Sequence, residues 1–217
     1  MEGQLIQSLW EATVETFYMV GFSTIVAVLL GLPLGLLLVL TGAGNVLDSP
    51  KLHKVLSTLV NIGRSFPFII LLVVLTPLTR LIVGTSIGST AALVPLTLAA
   101  IPFFGRIAET SILEVDKGLI EAAQAMGCSY WQIVLKVLVP EALPSIVLGV
   151  TILVINLLNA SAMAGAVGGG GLGNLAIQYG YQRFDVGVMV ATIVVLIVLV
   201  QLLQFVGDRL AQQLRKR

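Results

Sequence analysis

Long uncharged, apolar stretches alternate along this chain with short segments that hold nearly all of its charge. Residues 16–47, 81–105, 142–182 and 186–207 contain no Asp, Glu, Lys or Arg, and each can hold the ~20 residues that cross about 30 Å of hydrocarbon. A fifth apolar segment has an uncharged core of only 15 residues, 65–79, roughly 22 Å long as an α-helix. Arg64 or Arg80 at its ends must therefore sit near an interface or face protein and water. The pattern predicts an all-α integral membrane protein with five transmembrane helices, at about residues 14–40, 57–79, 86–107, 142–164 and 185–207, in a single domain over residues 1–217. Gly31, Pro33 and Gly35 lie in the first span, Pro67 and Pro77 in the second, Pro95 and Pro102 in the third. Such residues let helices pack closely or bend. The spacing of Gly31 and Gly35 is expected to serve packing within the chain more than a dimer seam.

Residues 109–140 interrupt this pattern with a polar segment that has a helical period of its own. Leu119, Ile120, Ala123 and Met126 recur on one helix face, while Lys117, Glu121 and Gln124 project elsewhere. Gly127 is placed to end that helix, because glycine accepts the left-handed conformation common just past a helix C-terminus. Ser129 and Gln132 then have the spacing of a capping box that starts a second helix, with an apolar stripe of Ile133, Val134, Val137 and Leu138. Pro140 and Pro144 are expected to punctuate the entry into the fourth span. The result is helix, tight turn, helix at a membrane surface. Amphipathicity alone favours a helix lying passively among headgroups.

If this segment is cytoplasmic, five spans place the N-terminus outside and the C-terminus inside. Lys51, Lys54, Arg64, Arg106, Lys117, Lys136, Arg209, Arg215, Lys216 and Arg217 then fall on or near the inner side, and only Arg80 and Arg183 fall outside. That asymmetry follows the positive-inside rule. Glu2, Glu11 and Glu15 lie in the outer N-terminal segment, where acidic residues contribute little to orientation. The first apolar run is too long for the core of a signal peptide and has no Lys or Arg before it, so it reads as a retained span.

Composition agrees with a bilayer protein: 57% of residues are hydrophobic and 11% charged, against roughly 25% charged in soluble domains. A formal net charge of +1 argues against nucleic acid as a partner, since such binders carry a basic surface. Cys128, the sole cysteine, permits no intrachain disulfide and reads as a small filler in a reducing setting. His53, the sole histidine, has no cluster of ligand-type neighbours in sequence, so surface titration is expected and no metal. No nucleophile, base and orienting group form a catalytic constellation, so no catalytic residue is assigned.

Glu121, Ala122 and Ala123, then Gly127 four residues on and Pro140 thirteen further, resemble the EAA loop of the permeases of ATP-binding-cassette (ABC) importers. The resemblance implies a type I importer permease whose coupling-helix pair, at residues 109–140, docks on a separate ATPase. The residues expected to dock on it are Glu121, Ala122, Ala123, Met126, Gly127 and Pro140. Where that family often has Phe-x-x-Ile-x-Leu-Pro, this chain has Ile133, Val137, Val139 and Pro140, all apolar before the proline. Residues 61–88, 91–106 and 161–184 further resemble the methionine-importer permeases of bacteria. Arg64 to Phe68, RSFPF, differs from the RGTP-like sequence of polar-amino-acid permeases, whereas choline and betaine permeases share the glycine-rich GGLG segment. The resemblance implies a location in the bacterial inner membrane and a homodimer of this chain. It also implies two cytoplasmic ATPase subunits carrying ATP and Mg²⁺, and an external binding protein that delivers methionine.

The residues themselves support part of this. No G-x-x-x-x-G-K-[ST] phosphate loop is present, so ATP must be hydrolysed on another chain. Gly168, Gly170 and Gly173 satisfy G-x-G-x-x-G, but a dinucleotide fingerprint needs a preceding strand and these fall in an expected external loop. Asn156, Asn159 and Met163 lie at i, i+3 and i+7 of the fourth span and so share a face. Polar groups at membrane depth line a path or hydrogen-bond between helices; both readings stand. Arg64 and Ser65 are expected at the inner mouth of that path, with snorkelling of Arg64 to headgroups as the alternative. Gly168, Gly170, Gly173 and Tyr179 are expected at an external gate, flanked by Gln178 and Tyr181, with ordinary loop flexibility as the alternative. An ion-coupled secondary transporter would instead be expected to carry carboxylates within its spans, and every Asp and Glu is expected outside the central ones. A scaffold without transport would not need the helix-turn-helix geometry.

Overall fold

The structure, a computed structural model, describes residues 2–45 and 47–215, apart from the side chains of Glu2 and Gln4. The assignments of Lys216 and Arg217 to the inner side, and of the Glu2 side chain to the outer, lie outside the described residues. Every regular element among the described residues is helical: α1 (Glu2–Thr41), α2 (Pro50–Ser65), α3 (Phe68–Val74), α4 (Thr76–Val83), α5 (Ser89–Leu113), α6 (Lys117–Ala125), α7 (Tyr130–Ile133), α8 (Val139–Ala166), α9 (Gly171–Leu175) and α10 (Val186–Arg215). Two π stretches, Val134–Leu138 and Ala176–Tyr181, join α7 to α8 and extend α9. Among the described residues, four helical runs are long and apolar enough to cross a membrane: Leu5–Thr41, Ser89–Leu113, Tyr130–Tyr181 and Val186–Arg215.

The second of the five expected spans is not one helix. Its segment is divided into α2, α3 and α4, with α2 and α3 bent by 95° at Phe66 and Pro67. Pro67 lacks an N–H and biases Phe66 away from helical angles, and Pro77 sits in the first turn of α4, where its missing N–H costs nothing. A fifth span exists only if the bent pair is counted as one.

One further expectation needs correction. Pro140 and Pro144 do not separate the polar segment from the fourth span, because α7 runs through the first π stretch directly into α8. The Val139 N–H reaches back to the Val134 carbonyl, and this wide turn takes up the irregularity that prolines impose on an α register. Glu109, just past the expected end of the third span, is buried in α5. Its Oε2 accepts from Arg106 Nη1 at 2.7 Å one turn away, so the charge is paired where burial would otherwise be costly.

The chain forms two compact units. The first comprises Met1–Val26, Phe66–Ala100 and Leu153–Gln204; the second comprises Ala27–Ser65, Ile101–Ile152 and Phe205–Arg217. In the first, Ala12, Leu172, Leu175 and Val188 form a core flanked by Leu5, Leu9, Val195, Leu196 and Leu199, so the N-terminal half of α1 packs on α9 and α10. In the second, Gly31 and Gly35 of α1 lie against α5 at Ile101, Gly105 and Ala108. The close approach expected of that glycine pair is thus made inside the chain.

The C-terminal end of α1 accounts for each of its last carbonyls. His53 Nδ1–H donates to the Leu38 carbonyl at 2.9 Å and Asn45 Nδ2 to Val39 at 2.8 Å. The N–H groups of Leu47 and Ser49 donate to Leu40 at 2.9 Å and to Thr41 at 3.2 Å. A helix normally leaves these four acceptors without an intrahelical partner. His53 is thus half-buried and engaged.

Candidate functional site

The polar segment is built as its sequence predicts, and its parts face two ways. Asp116 Oδ1 caps α6 by accepting from the Gly118 N–H at 2.6 Å. At the other end Gly127 takes φ +77°. Its N–H donates to the Gln124 carbonyl at 2.9 Å, and that of Cys128 to Ala123 at 3.1 Å, the paired bonds of a Schellman turn. A Cβ at Gly127 would meet nothing within 4 Å, so the demand for glycine is one of backbone angle alone. Ser129 N–H then donates to Gln132 Oε1 at 2.8 Å, half of the expected capping box.

Ala123, Ile133, Val134 and Leu138 are buried and hold this helix pair to its own unit. The stripe expected to run from Leu119 to Met126 divides. Ala123 is 2% exposed and anchors inward, whereas Met126 is 76% exposed and Leu119 also faces outward. Glu121, Ala122, Gly127 and Pro140 are exposed as well. Trp131, 75% exposed, and Tyr130 stand beside Met126 in sequence, and the sequence reading passed over both. The signal was there, two adjacent aromatics following a glycine turn in a polar segment. Large apolar side chains left exposed along one short helix pair, Leu119, Met126, Tyr130 and Trp131, are suited to burial against a partner.

Asn156, Asn159 and Met163 share one exposed face of α8. Among the described residues neither asparagine side chain makes a hydrogen bond, so the alternative of bonding between helices is not realised within this chain. The opposite face, with Leu153, Leu157, Ser161 and Ala164, is buried. Arg64 holds its guanidinium 5.9 Å from the centroid of the Phe103 ring, a cation–π distance. The Ser65 hydroxyl is engaged in its own helix, donating to the Asn61 carbonyl at 2.7 Å.

The glycine-rich segment departs from a flexible loop. Gly169, Gly170, Gly171 and Gly173 are buried, and α9 begins only a few residues after α8 ends. Gly168, Gly170 and Gly171 have φ values of +89°, +77° and +72°, angles that admit glycine readily. A Cβ on Gly173 would run into the Ala162 backbone. The Gly171 N–H donates to Glu15 Oε2 at 2.6 Å and the Leu172 N–H to Thr16 Oγ1 at 2.9 Å. On its other side the turn is held by Gly88 N–H, which donates to the Gly168 carbonyl at 2.8 Å. Gly168, Gly170 and Gly173 thus meet in one packed turn. Tyr179 lies apart from it on the π extension of α9, beneath the Arg183 guanidinium at 4.3 Å. Glu15 and Thr16 were not singled out from sequence, and no local pattern signals a partner 156 positions away.

The model of the family described as binding-protein-dependent transport system inner membrane component matches residues 31–217. A probable D-methionine transport system permease protein MetI of Vibrio cholerae is 52% identical over 96% of this chain and 93% of its own. The methionine import system permease protein MetP of Bacillus subtilis is 42% identical over 98% and 96%. Among solved structures, a chain of the MetNI methionine ABC transporter in inward-facing conformations superposes with a TM-score of 0.92 at 49% identity, covering 97% of this chain and 95% of that one. A chain of an amino acid ABC transporter crystallised with histidines superposes with a TM-score of 0.80 at 19% identity, over 98% and 96%. That last likeness is one of fold.

Proposed function

This chain belongs to the family of binding-protein-dependent transport system inner membrane components, and from that premise we propose that it is the membrane-spanning permease of a methionine importer. ATP hydrolysis on separate chains drives it. The cargo follows from relatives on both sides of the comparison, which are named for methionine and cover nearly the whole chain. The single observation that carries the mechanism is the exposure of Leu119, Met126, Tyr130 and Trp131 on a helix pair anchored by buried Ala123 and Ile133. Such an arrangement presents apolar side chains on a firm base.

Two copies of this chain pair in the inner membrane, and each offers the segment at residues 109–140 to one of two cytoplasmic ATPase subunits. Those subunits bind ATP and Mg²⁺. Glu121, Ala122, Ala123, Met126, Gly127 and Pro140 form or shape the contact, with Trp131 added from the structure. When the ATPases close on ATP, the displacement biases the permeases between inward-open and outward-open states. The N-terminus lies outside and the C-terminus in the cytosol, where an external binding protein and the ATPases respectively approach. The exposed face of Asn156, Asn159 and Met163 lines the path, supported by its unbonded amides, and Arg64 and Ser65 lie toward the inner mouth. A thioether beside a thioether cargo is a soft, adaptable contact.

Reconstitution into vesicles with the ATPase and binding protein of the same transport system tests this directly. Labelled methionine is expected to accumulate only with both partners and ATP. Uptake without the ATPase would overturn the coupling, and accumulation of a betaine or a polar amino acid in place of methionine would overturn the cargo.

A further inference from the structure

We infer that Glu15 and Thr16 are positioning residues of the transport cycle: together they cap α9 from another helix, and this cap holds the glycine turn in its resting form. The inference rests on the permease reading above. Every helix begins with N–H groups that lack intrahelical partners, and a side chain at the residue before the helix usually satisfies one. Here that residue is Gly170, which has no side chain and takes φ +77° and ψ −170°. The acceptors come instead from α1. Glu15 Oε2 takes the Gly171 N–H at 2.6 Å and Thr16 Oγ1 takes the Leu172 N–H at 2.9 Å. The Thr16 hydroxyl hydrogen is already given to the Ala12 carbonyl at 2.8 Å, which leaves a lone pair for Leu172.

Space and charge match the same assignment. A Cβ at Gly170 would come within 2.7 Å of Glu15 Oε2, and one at Gly171 within 2.7 Å of both Thr16 Oγ1 and the Met19 methyl. The glycines and their two acceptors are therefore a fitted set. A carboxylate is the favoured partner at the positive end of a helix. The two halves differ in access: Thr16 is 2% exposed, whereas Glu15 is exposed. The buried hydroxyl is the fixed half and the exposed carboxylate the releasable one.

The turn joins α9 to the end of α8, and α8 is continuous through the first π stretch with the segment proposed to meet the ATPases. A bond that fixes this turn therefore opposes movement of that end of α8 until a signal arrives. Removing it biases the equilibrium toward the state reached on ATP binding, so ATP hydrolysis loses part of its dependence on the binding protein.

The test uses the complete transporter in vesicles and reads ATP hydrolysis with and without binding protein, alongside assembly with the ATPase. Glu15→Ala is expected to raise unstimulated hydrolysis roughly two- to fivefold, the worth of a charge at a helix end. Glu15→Gln, which keeps an acceptor oxygen without the charge, should restore part of the control. Thr16→Val should behave like Glu15→Ala, with Thr16→Ser close to wild type. An unchanged ratio of stimulated to unstimulated hydrolysis in Glu15→Ala overturns the proposal. So does loss of assembly in both Glu15→Ala and Glu15→Gln, which would mark the residue as structural; if only Glu15→Ala is lost, the ratio in Glu15→Gln decides. A wild-type complex whose hydrolysis obeys the binding protein but which imports no methionine overturns the cargo and leaves the cap standing.

Discussion

Two glycines at turns in this chain have nearly the same φ and opposite surroundings. Gly127 and Gly171 differ by only five degrees in φ, at +77° and +72°. A side chain at Gly127 would enter open space, whereas one at Gly171 would strike Thr16 and Met19. The first turn is exposed and leaves large apolar side chains outward; the second is buried and fastened by side chains from α1. The lesson is that a positive φ names the residue but not its purpose. Neighbours decide whether a turn presents a surface or closes a joint.

The sharpest way to break this comparison is to make the same substitution at both sites. Gly171→Ala adds a steric clash to left-handed strain and is expected to cost about 2–5 kcal/mol. In detergent it should appear as a large fall in melting temperature or loss of monodisperse protein. Trp131→Ala should leave that melting temperature unchanged yet weaken capture of the ATPase about thirtyfold, the scale of an interface hot spot; equal binding by both proteins would remove Trp131 from the contact. Gly127→Ala carries only the conformational cost, about 1–2 kcal/mol. If it proves as damaging as Gly171→Ala, the two turns are not distinguished by their neighbours. Gln132→Ala removes the acceptor for Ser129 N–H and should cost about 1 kcal/mol, visible as earlier proteolysis of the helix pair. The smallest effect on folding is expected for Asn156→Leu and Asn159→Leu, within about 0.5 kcal/mol for an exposed site. Methionine uptake should nevertheless fall; wild-type rates and selectivity in both would take this face off the path.

What was legible in the sequence was whatever local chemistry determines. The helix ends at Gly127 and Ser129 follow from conformational preference and capping, and the uncharged runs follow from the thickness of hydrocarbon. The family resemblance carried by Glu121 to Gly127 and by residues 61–88 and 161–184 was legible for the same reason, being written in contiguous residues. The α2 to α4 break was half-visible: Pro67 and Pro77 were noted as sites of bending, but not as ends of separate helices. The burial of Glu109 was not legible, because it depends on Arg106 one helical turn back to pair the charge. Least legible was the cap on α9, since Glu15 and Gly171 meet only once the chain has folded.

The end of α1 has a consequence for its need of water. With the carbonyls of Leu38, Val39, Leu40 and Thr41 each already answered by His53, Asn45, Leu47 and Ser49, this terminus carries its own solvation shell. In a bilayer, an unanswered backbone group costs several kcal/mol unless water reaches it. These four carbonyls therefore ask nothing of water, and the end of α1 is closed by the residues that follow it.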